Sequence, residues 1–242
     1  MIEISGLAKS YSRGAVKALD GIDLTIRDGE IFGFLGPNGA GKTTLIKLIT
    51  GILNPDQGSI RINGRGIGEH PIECKMQIGY VPDDPNLFLR LTGLEYLNFM
   101  ADIYLVPQEE RQERIRSLLE RFDLYDAAGD LIQSYSHGMK QKVVLIGALL
   151  HSPPVWILDE PMTGLDPRSS FTLKEMMREH ADAGKTVFFS THVLEVAERL
   201  CDRMAIINKG KIVFCGALEE IHEHFRGNQS LESLFLELTG DE

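Results

Sequence analysis

The sequence predicts a mixed α/β fold: a mainly parallel sheet with crossover helices, opened by an antiparallel β subdomain and interrupted by an inserted helical one. Three observations lead there. Short β-branched runs crowd the first third, residues 86–150 show helical spacing with few such runs, and beyond Val155 strand-like and helix-like segments alternate. Alternation of that kind marks parallel strands joined by helices.

Taken in order, Ile2-Glu3-Ile4 reads as a first strand, 19–26 as a second with Leu19, Ile22, Leu24 and Ile26 facing inward, and 31–35 as a third. After 36–41 a helix carries Leu45, Leu48 and Ile49 and is stopped by Gly51, with Pro55 beyond. Strands resume at 59–62 and 78–81. Within the helical stretch, Thr92-Gly93-Leu94-Glu95 fits a capping box, and Ile115, Leu118, Leu119 and Phe122 recur at i, i+3, i+4 and i+7 after Pro107. That stripe is a core face. Strands are then expected at 155–158, 186–190 and 204–208, with helices from Asp166-Pro167 and through Leu200 between them. Asn208-Lys209-Gly210-Lys211 reads as a hairpin turn into Ile212-Val213-Phe214. Leu231, Leu234, Phe235 and Leu238 close the chain as an amphipathic helix. The organisation implied is one domain over 1–242: a core with its β subdomain at 1–85 and 151–218, the helical insert at 86–150, and C-terminal helices at 219–242.

Lys plus Arg number 25 and Asp plus Glu 35, a net charge of −10 that opposes the basic footprint nucleic-acid binding needs. The apolar stretch 143–150 falls far short of the roughly 20 residues of a membrane-spanning helix. The first residues show neither the basic flank nor the apolar run of a signal peptide, and Cys74, Cys201 and Cys215 form no C-x-x-C pair. A cytoplasmic chain without metal-binding cysteines is expected.

Gly36-Pro37-Asn38-Gly39-Ala40-Gly41-Lys42-Thr43 matches G-x-x-x-x-G-K-[ST] between an expected strand and an expected helix, the context that motif requires. Its glycines let backbone N–H groups curl around phosphate oxygens, and the helix N-terminus adds partial positive charge. Lys42 is expected to reach the β- and γ-phosphates and the Thr43 hydroxyl to ligate Mg²⁺, with Thr44 joining the nucleotide-binding set. Val155-Trp156-Ile157-Leu158-Asp159-Glu160 is an apolar strand ending in two acids. Asp159 fits the acid that holds Mg²⁺, and Glu160 the base that polarises the attacking water.

Tyr135-Ser136-His137-Gly138-Met139-Lys140-Gln141 resembles the L-S-G-G-Q signature of the ATP-binding-cassette ATPases, and it falls between the phosphate loop and the acidic strand, as in that family. Thr163-Gly164-Leu165-Asp166 is similar to the family's D-loop and Ser190-Thr191-His192 to its switch-histidine segment. The resemblance implies a P-loop nucleotidase that binds ATP with Mg²⁺ and hydrolyses it, His192 sensing the γ-phosphate and Tyr11 stacking on adenine; the plain alternative for Tyr11 is a surface tyrosine in a polar loop. It also implies a head-to-tail dimer, homomeric or heteromeric, in which Ser136 and Gly138 of one subunit, with Asp166, complete the site of the other.

The chain departs from the family pattern at three positions. Asp83 stands where a glutamine is usual; a carboxylate there attracts a divalent cation through water and repels a metal-free triphosphate. His137 replaces a glycine and either donates to the γ-phosphate or turns away from it, the second being the expectation, and Met139 takes a glutamine's place. Since Lys42, Asp159, Glu160 and His192 are intact, an active ATPase is expected rather than a binding module. The leading function is the motor of a transporter, with export the expected direction, whose transmembrane subunits are separate chains and which sits on the cytoplasmic face of the membrane. The rival is a soluble, non-transport cassette ATPase. The Asp83 loop, with the adjoining surface around Leu87, Phe88 and Tyr96, is the expected contact with the membrane partner; the plain alternative is that these residues only pack the insert onto the core.

Overall fold

The computed structural model describes residues 1–12, 16–220 and 231–240. A six-stranded sheet runs in the order β10-β9-β3-β8-β7-β6. Its members are β3 (Ile31–Leu35), β6 (Ile78–Val81), β7 (Val155–Asp159), β8 (Thr186–Thr191), β9 (Arg203–Asn208) and β10 (Lys211–Gly216). All pair in parallel except β10, which returns antiparallel to β9 through the expected hairpin. A second, antiparallel sheet has the order β2-β1-β4-β5, from β1 (Ile2–Tyr11), β2 (Val16–Ile26), β4 (Gln57–Ile62) and β5 (Arg65–Gly66).

The central strands β3, β7 and β8 are buried at every position, which is why they are apolar runs rather than alternating ones. Their side chains still leave on alternate faces. Trp156, Leu158, Val187 and Phe189 pack beneath α3 (Gly93–Ile103), α4 (Gln108–Arg121), α5 (His137–Leu149) and α6 (Pro167–Asp182), whereas Val155, Ile157 and Phe188 join α1 (Lys42–Ile49) and the inner face of the antiparallel sheet. Each face thus has its own core, with the sheet as partition.

Thr92 caps α3, accepting from Glu95 N while Glu95 accepts from Thr92 N, the reciprocal box read from the sequence. Ile115 and Leu119 are buried on α4, and Phe122 packs just past its end. The first strand is longer than expected. It continues to Tyr11 through register shifts near a left-handed Gly6, and those shifts disrupt the alternation that would have revealed it. Two short elements, β5 and α2 (Pro71–Lys75), add to those expected. The remaining helices are α7 (Leu194–Leu200) and α8 (Leu231–Thr239), on which Phe235 and Leu238 pack toward Leu35 and Ile206. Half of the expected C-terminal span 219–242, and the side chains of Leu231 and Leu234, lie outside the described residues. One expectation is corrected: Tyr96 is 3% exposed, because α3 turns it toward Gly147 and into the core, so it cannot be a surface contact. No helix among the described residues is long and apolar enough to cross a membrane.

The helical side of the core holds a buried imidazole. His180 on α6 lies against Trp156, ring centroids 5.5 Å apart, and burial, then the Lys185 charge, push it down to about 4. An unfolded histidine titrates near 6.5, so between about pH 6.5 and 4 the unfolded chain binds a proton that the folded one refuses. Stability is therefore complete above this window and falls as pH drops through it, by up to roughly 3 kcal/mol for such a group. The melting temperature should decline from pH 7 to pH 4.5, and His180→Phe should flatten that decline; an unchanged slope in the variant would remove His180 from the account.

Candidate functional site

Because β8 pairs with both β3 and β7 in parallel, the C-terminal ends of all three strands open on one edge, where a parallel sheet usually presents its ligands. The phosphate-loop segment leaves β3 there, Glu160 follows β7, and His192 follows β8. The loop is tightly confined. A Cβ on Gly36 would stand 2.5 Å from the Ile207 carbonyl oxygen, and Gly41, at φ 116°, would put one 2.5 Å from that of Ala18. Only glycine fits either place. The hairpin turn braces the loop from outside, Gly210 N donating to Ala40 O at 3.0 Å.

Lys42 is buried beneath the loop, its Nζ donating to Gly36 O (2.7 Å) and Pro37 O (3.3 Å). The same ammonium is 3.6 Å from Glu160 Oε1, and Glu160 Oε2 is 3.0 Å from His192 Nδ1. The carboxylate is thus held from both sides. Glu160 itself has a left-handed backbone, φ 47°, which lets the chain leave the strand sharply and turn the acid toward the loop.

Asp159 stands one residue back and is 1% exposed. Burial raises its carboxyl above the usual range; hydrogen bonding from Ser190 and Thr43 opposes that rise, and the Asp83 and Glu160 charges reinforce it. Ser190 Oγ donates to Asp159 Oδ1 at 2.6 Å and accepts from Glu160 N at 3.0 Å, so one hydroxyl fixes both acids. Sequence reasoning assigned Ser190 no role of its own. The available signal was a serine in an otherwise apolar strand, in register with Asp159.

A hollow of about 380 Å³ faces this cluster, lined by Tyr11, the β2 segment 16–18 with Lys17, and Asn38, Gly39, Gly41, Lys42, Thr43, Thr44, Asp83 and Glu160. Tyr11 is partly exposed, with its hydroxyl 3.4 Å from Thr44 Oγ1. Hollows of about 290 Å³ around Arg61 and about 460 Å³ over α4 have comparable size but no buried cation beside paired acids. Chemistry, not volume, selects the site. A divalent cation fits the donors present: Asp159 Oδ2 is buried without a hydrogen bond, and Thr43 and Asp83 supply further oxygens. Among the described residues no three His, Cys, Asp or Glu side chains could hold an ion unaided, so phosphate and water would complete its shell, as Mg²⁺ prefers.

Of the expected ligands, Gly36, Pro37 and Ala40 belong to the loop without lining the hollow, and three others lie on different elements. Ser136 caps α5, accepting from Met139 N at 3.2 Å, and Gly138 lies in that helix's first turn. Asp166 caps α6, accepting from Ser169 N at 3.0 Å and Ser169 Oγ at 2.6 Å, and pairs with Lys142 at 3.2 Å. These contacts, the Ser169 hydroxyl first, hold the Asp166 carboxyl well below its usual range. None of the three lines the hollow.

Comparison with known proteins adds that residues 19–163 match the profile of the ABC transporter family. The chain is 36% identical to the ABC-type transporter ATP-binding protein EcsA of Bacillus subtilis, over 100% of this chain and 98% of that protein. A solved ATP-binding subunit of an ABC transporter superposes with a TM-score of 0.93 at 36% identity, covering 98% of this chain and 99% of its own. A dimeric ATP-binding cassette in a post-hydrolysis state with ADP and Pi gives a TM-score of 0.82 at 26% identity, covering 90% and 99%.

Replacing Ser190 by Ala should leave the Glu160 N–H and a buried Asp159 oxygen without their shared partner. A loss of roughly 1–3 kcal/mol in stability is expected, together with a fall in ATP turnover. Wild-type melting and turnover in Ser190→Ala would show that the hydroxyl organises neither acid.

Proposed function

We propose a division of labour among the residues of this chain, which belongs to the ABC transporter family as an ATP-binding and ATP-hydrolysing subunit. Tyr11 offers its ring face to adenine, while the amides from Gly36 to Thr44 and the N-terminus of α1 receive the phosphates. Lys42 directs its charge at the β- and γ-phosphates. Thr43, Asp159 and Asp83 are the oxygen donors toward Mg²⁺, which when bound offsets the phosphate charge that grows during transfer.

Glu160 accepts the proton of the attacking water, and His192 holds its carboxylate in the orientation that keeps that water aligned with the γ-phosphate. The observation that supports this most directly is the bridging of Glu160 between Lys42 and His192, at 3.6 and 3.0 Å, on the rim of a glycine-walled hollow. Ser136, Gly138 and Asp166 lie away from that hollow, and we assign them to the γ-phosphate side of a second subunit, identical or not. A serine hydroxyl, a glycine amide and a helix N-terminus make an anion receptor that ATP can bridge.

The subunit works on separate transmembrane chains, which select what is moved, and we place it on the cytoplasmic face of their membrane. The direction we propose is export, since the relatives include the linearmycin resistance ATP-binding protein of Bacillus subtilis and a daunorubicin resistance ATP-binding protein of Streptomyces coeruleorubidus, 34% and 35% identical to this chain. Residues 86–150 act as a subdomain that receives the membrane partner around Leu87 and Phe88. Phe88 is 45% exposed and sits 5.4 Å from the rings of Tyr96 and Phe99, and Phe99 and Ile103 extend the apolar surface along α3. Apolar anchors of this kind dominate interfaces.

Glu160→Gln keeps shape but removes the base, so hydrolysis should fall by about 10²-fold or more while ATP binding persists. At saturating MgATP the variant should run as a dimer in size exclusion, and adding Ser136→Arg should return it to monomer. Turnover at the wild-type rate would overturn the role given to Glu160. Separately, Phe88→Asp should fold and hydrolyse ATP alone like wild type while losing co-purification with the transmembrane subunits; insoluble expression with a large drop in melting temperature would make Phe88 a core residue instead.

A further inference from the structure

The first turns of α5 are fastened to the segment that leads from Glu160 to α6. His137 covers Gly164: a Cβ on that glycine, whose φ is 76°, would lie 2.1 Å from His137 Cδ2 and 2.8 Å from Nε2. Gly138 meets the same residue from below, where an added Cβ would stand 2.8 Å from Gly164 O. One turn further along the helix, Gln141 Nε2 donates to Pro161 O at 3.4 Å and Lys142 Nζ is 3.2 Å from Asp166 Oδ2. Positions 137, 138, 141 and 142 fall on one side of a helix, so residues 161–166 are zipped along that side.

The zipped segment is short and internally bonded. Thr163 N donates to Glu160 O at 3.1 Å and Leu165 N to Met162 O at 3.2 Å, and its far end is pinned where Asp166 caps α6. Little slack remains between the α5 N-terminus and Glu160, which is itself left-handed and oriented by Ser190. A small shift of α5 therefore reaches the carboxylate rather than being absorbed by the loop.

We propose that His137 is a positioning residue: its imidazole, seated on Gly164, locks residues 161–166 to α5 so that engagement of Ser136 by a phosphate sets the aim of Glu160 in the same subunit. The inference rests on Glu160 being the base and Ser136 a receptor for the γ-phosphate of a second subunit. It adds that each subunit relays the state of its partner's nucleotide to its own base through a contact inside one chain, and that His137 acts by packing rather than as a donor to the γ-phosphate.

Steady-state hydrolysis by the purified chain, with a melting temperature for each variant, tests this. His137→Ala should lower kcat by roughly tenfold, less than the ~10²-fold that an ångström of misplacement costs, with KM for ATP within about twofold of wild type. His137→Phe, which keeps a ring over Gly164 but cannot donate, should restore most of that kcat. Gly164→Ala should be slower than His137→Ala, since its Cβ meets the imidazole and its backbone is strained, and the double variant should hydrolyse faster than Gly164→Ala alone. Wild-type kinetics in His137→Ala, a His137→Phe variant as slow as the alanine one, or a double variant no faster than Gly164→Ala would each overturn the proposal. Glu160→Gln, measured beside them, separates the two ideas: if it still turns over normally the site assignment has failed, whereas an inactive Glu160→Gln beside an unaffected His137→Ala condemns only the relay.

Discussion

One hydroxyl decides where both acids stand. Asp159 is a carboxylate withdrawn from water with another carboxylate as its chain neighbour, and each fact alone disfavours its charge. Ser190 Oγ opposes both, giving its proton to Asp159 and taking the N–H of Glu160. It can do so only because β7 and β8 are parallel neighbours with Asp159 and Ser190 in register. A slip of one residue would turn the serine to the other face of the sheet. The two cores that hold this register, Trp156 and Phe189 on one side and Ile157 and Phe188 on the other, are thereby part of the site's geometry even though none of these residues touches it.

How much could be read from the sequence depends on how local each signal is. The strands at 31–35 and 78–81 were legible to the residue, since a strand buried on both faces is a bare apolar run between turns. The first strand was legible for three residues only, because its register shifts destroy the period of two. The segments 65–66 and 71–75 are too short to have a period. In the candidate site, the loop from Gly36 to Thr43 was legible as one contiguous motif between a strand and a helix, and Asp159 and Glu160 as the acids at the end of a strand. Ser190 was not, since its partner is 31 residues away in the chain and only sheet pairing unites them. Tyr96 misleads for a related reason: beside Leu87 and Phe88 it suggests a surface, yet the capping box starts α3 at a phase that buries it.

His137 shows the opposite case, a residue that a motif comparison presents as a defect and the structure presents as a fit. The glycine usual at its position leaves room, and here that room is taken by an imidazole whose counterpart, Gly164, has given up its own side-chain space. Neither residue is unusual alone. Their complementarity is visible only when the two segments are placed together.

Charge explains why such a site would divide its phosphate receptors between two subunits. Lys42 is the only buried Lys or Arg among the described residues, and it shares its hollow with Asp83, Glu160 and the exposed Lys17 while Asp159 lies behind. One buried ammonium, with an exposed Lys17 already paired to Asp20, cannot balance a triphosphate brought up to three carboxylates, so a divalent cation must supply part of the deficit and oriented dipoles the rest. The dipoles of the loop and of α1 are already engaged on the near side. The N-terminus of α5, with Ser136 and Gly138, lies away from its own hollow, which in the proposed dimer would leave it to a phosphate held by another chain. On that proposal, closure would be favoured only while the γ-phosphate is present to be shared, and its loss would remove the attraction at the place where hydrolysis occurs. In the proposed dimer, the acidity of the hollow, unfavourable to a nucleotide bound by one subunit, would make association of two subunits depend on ATP.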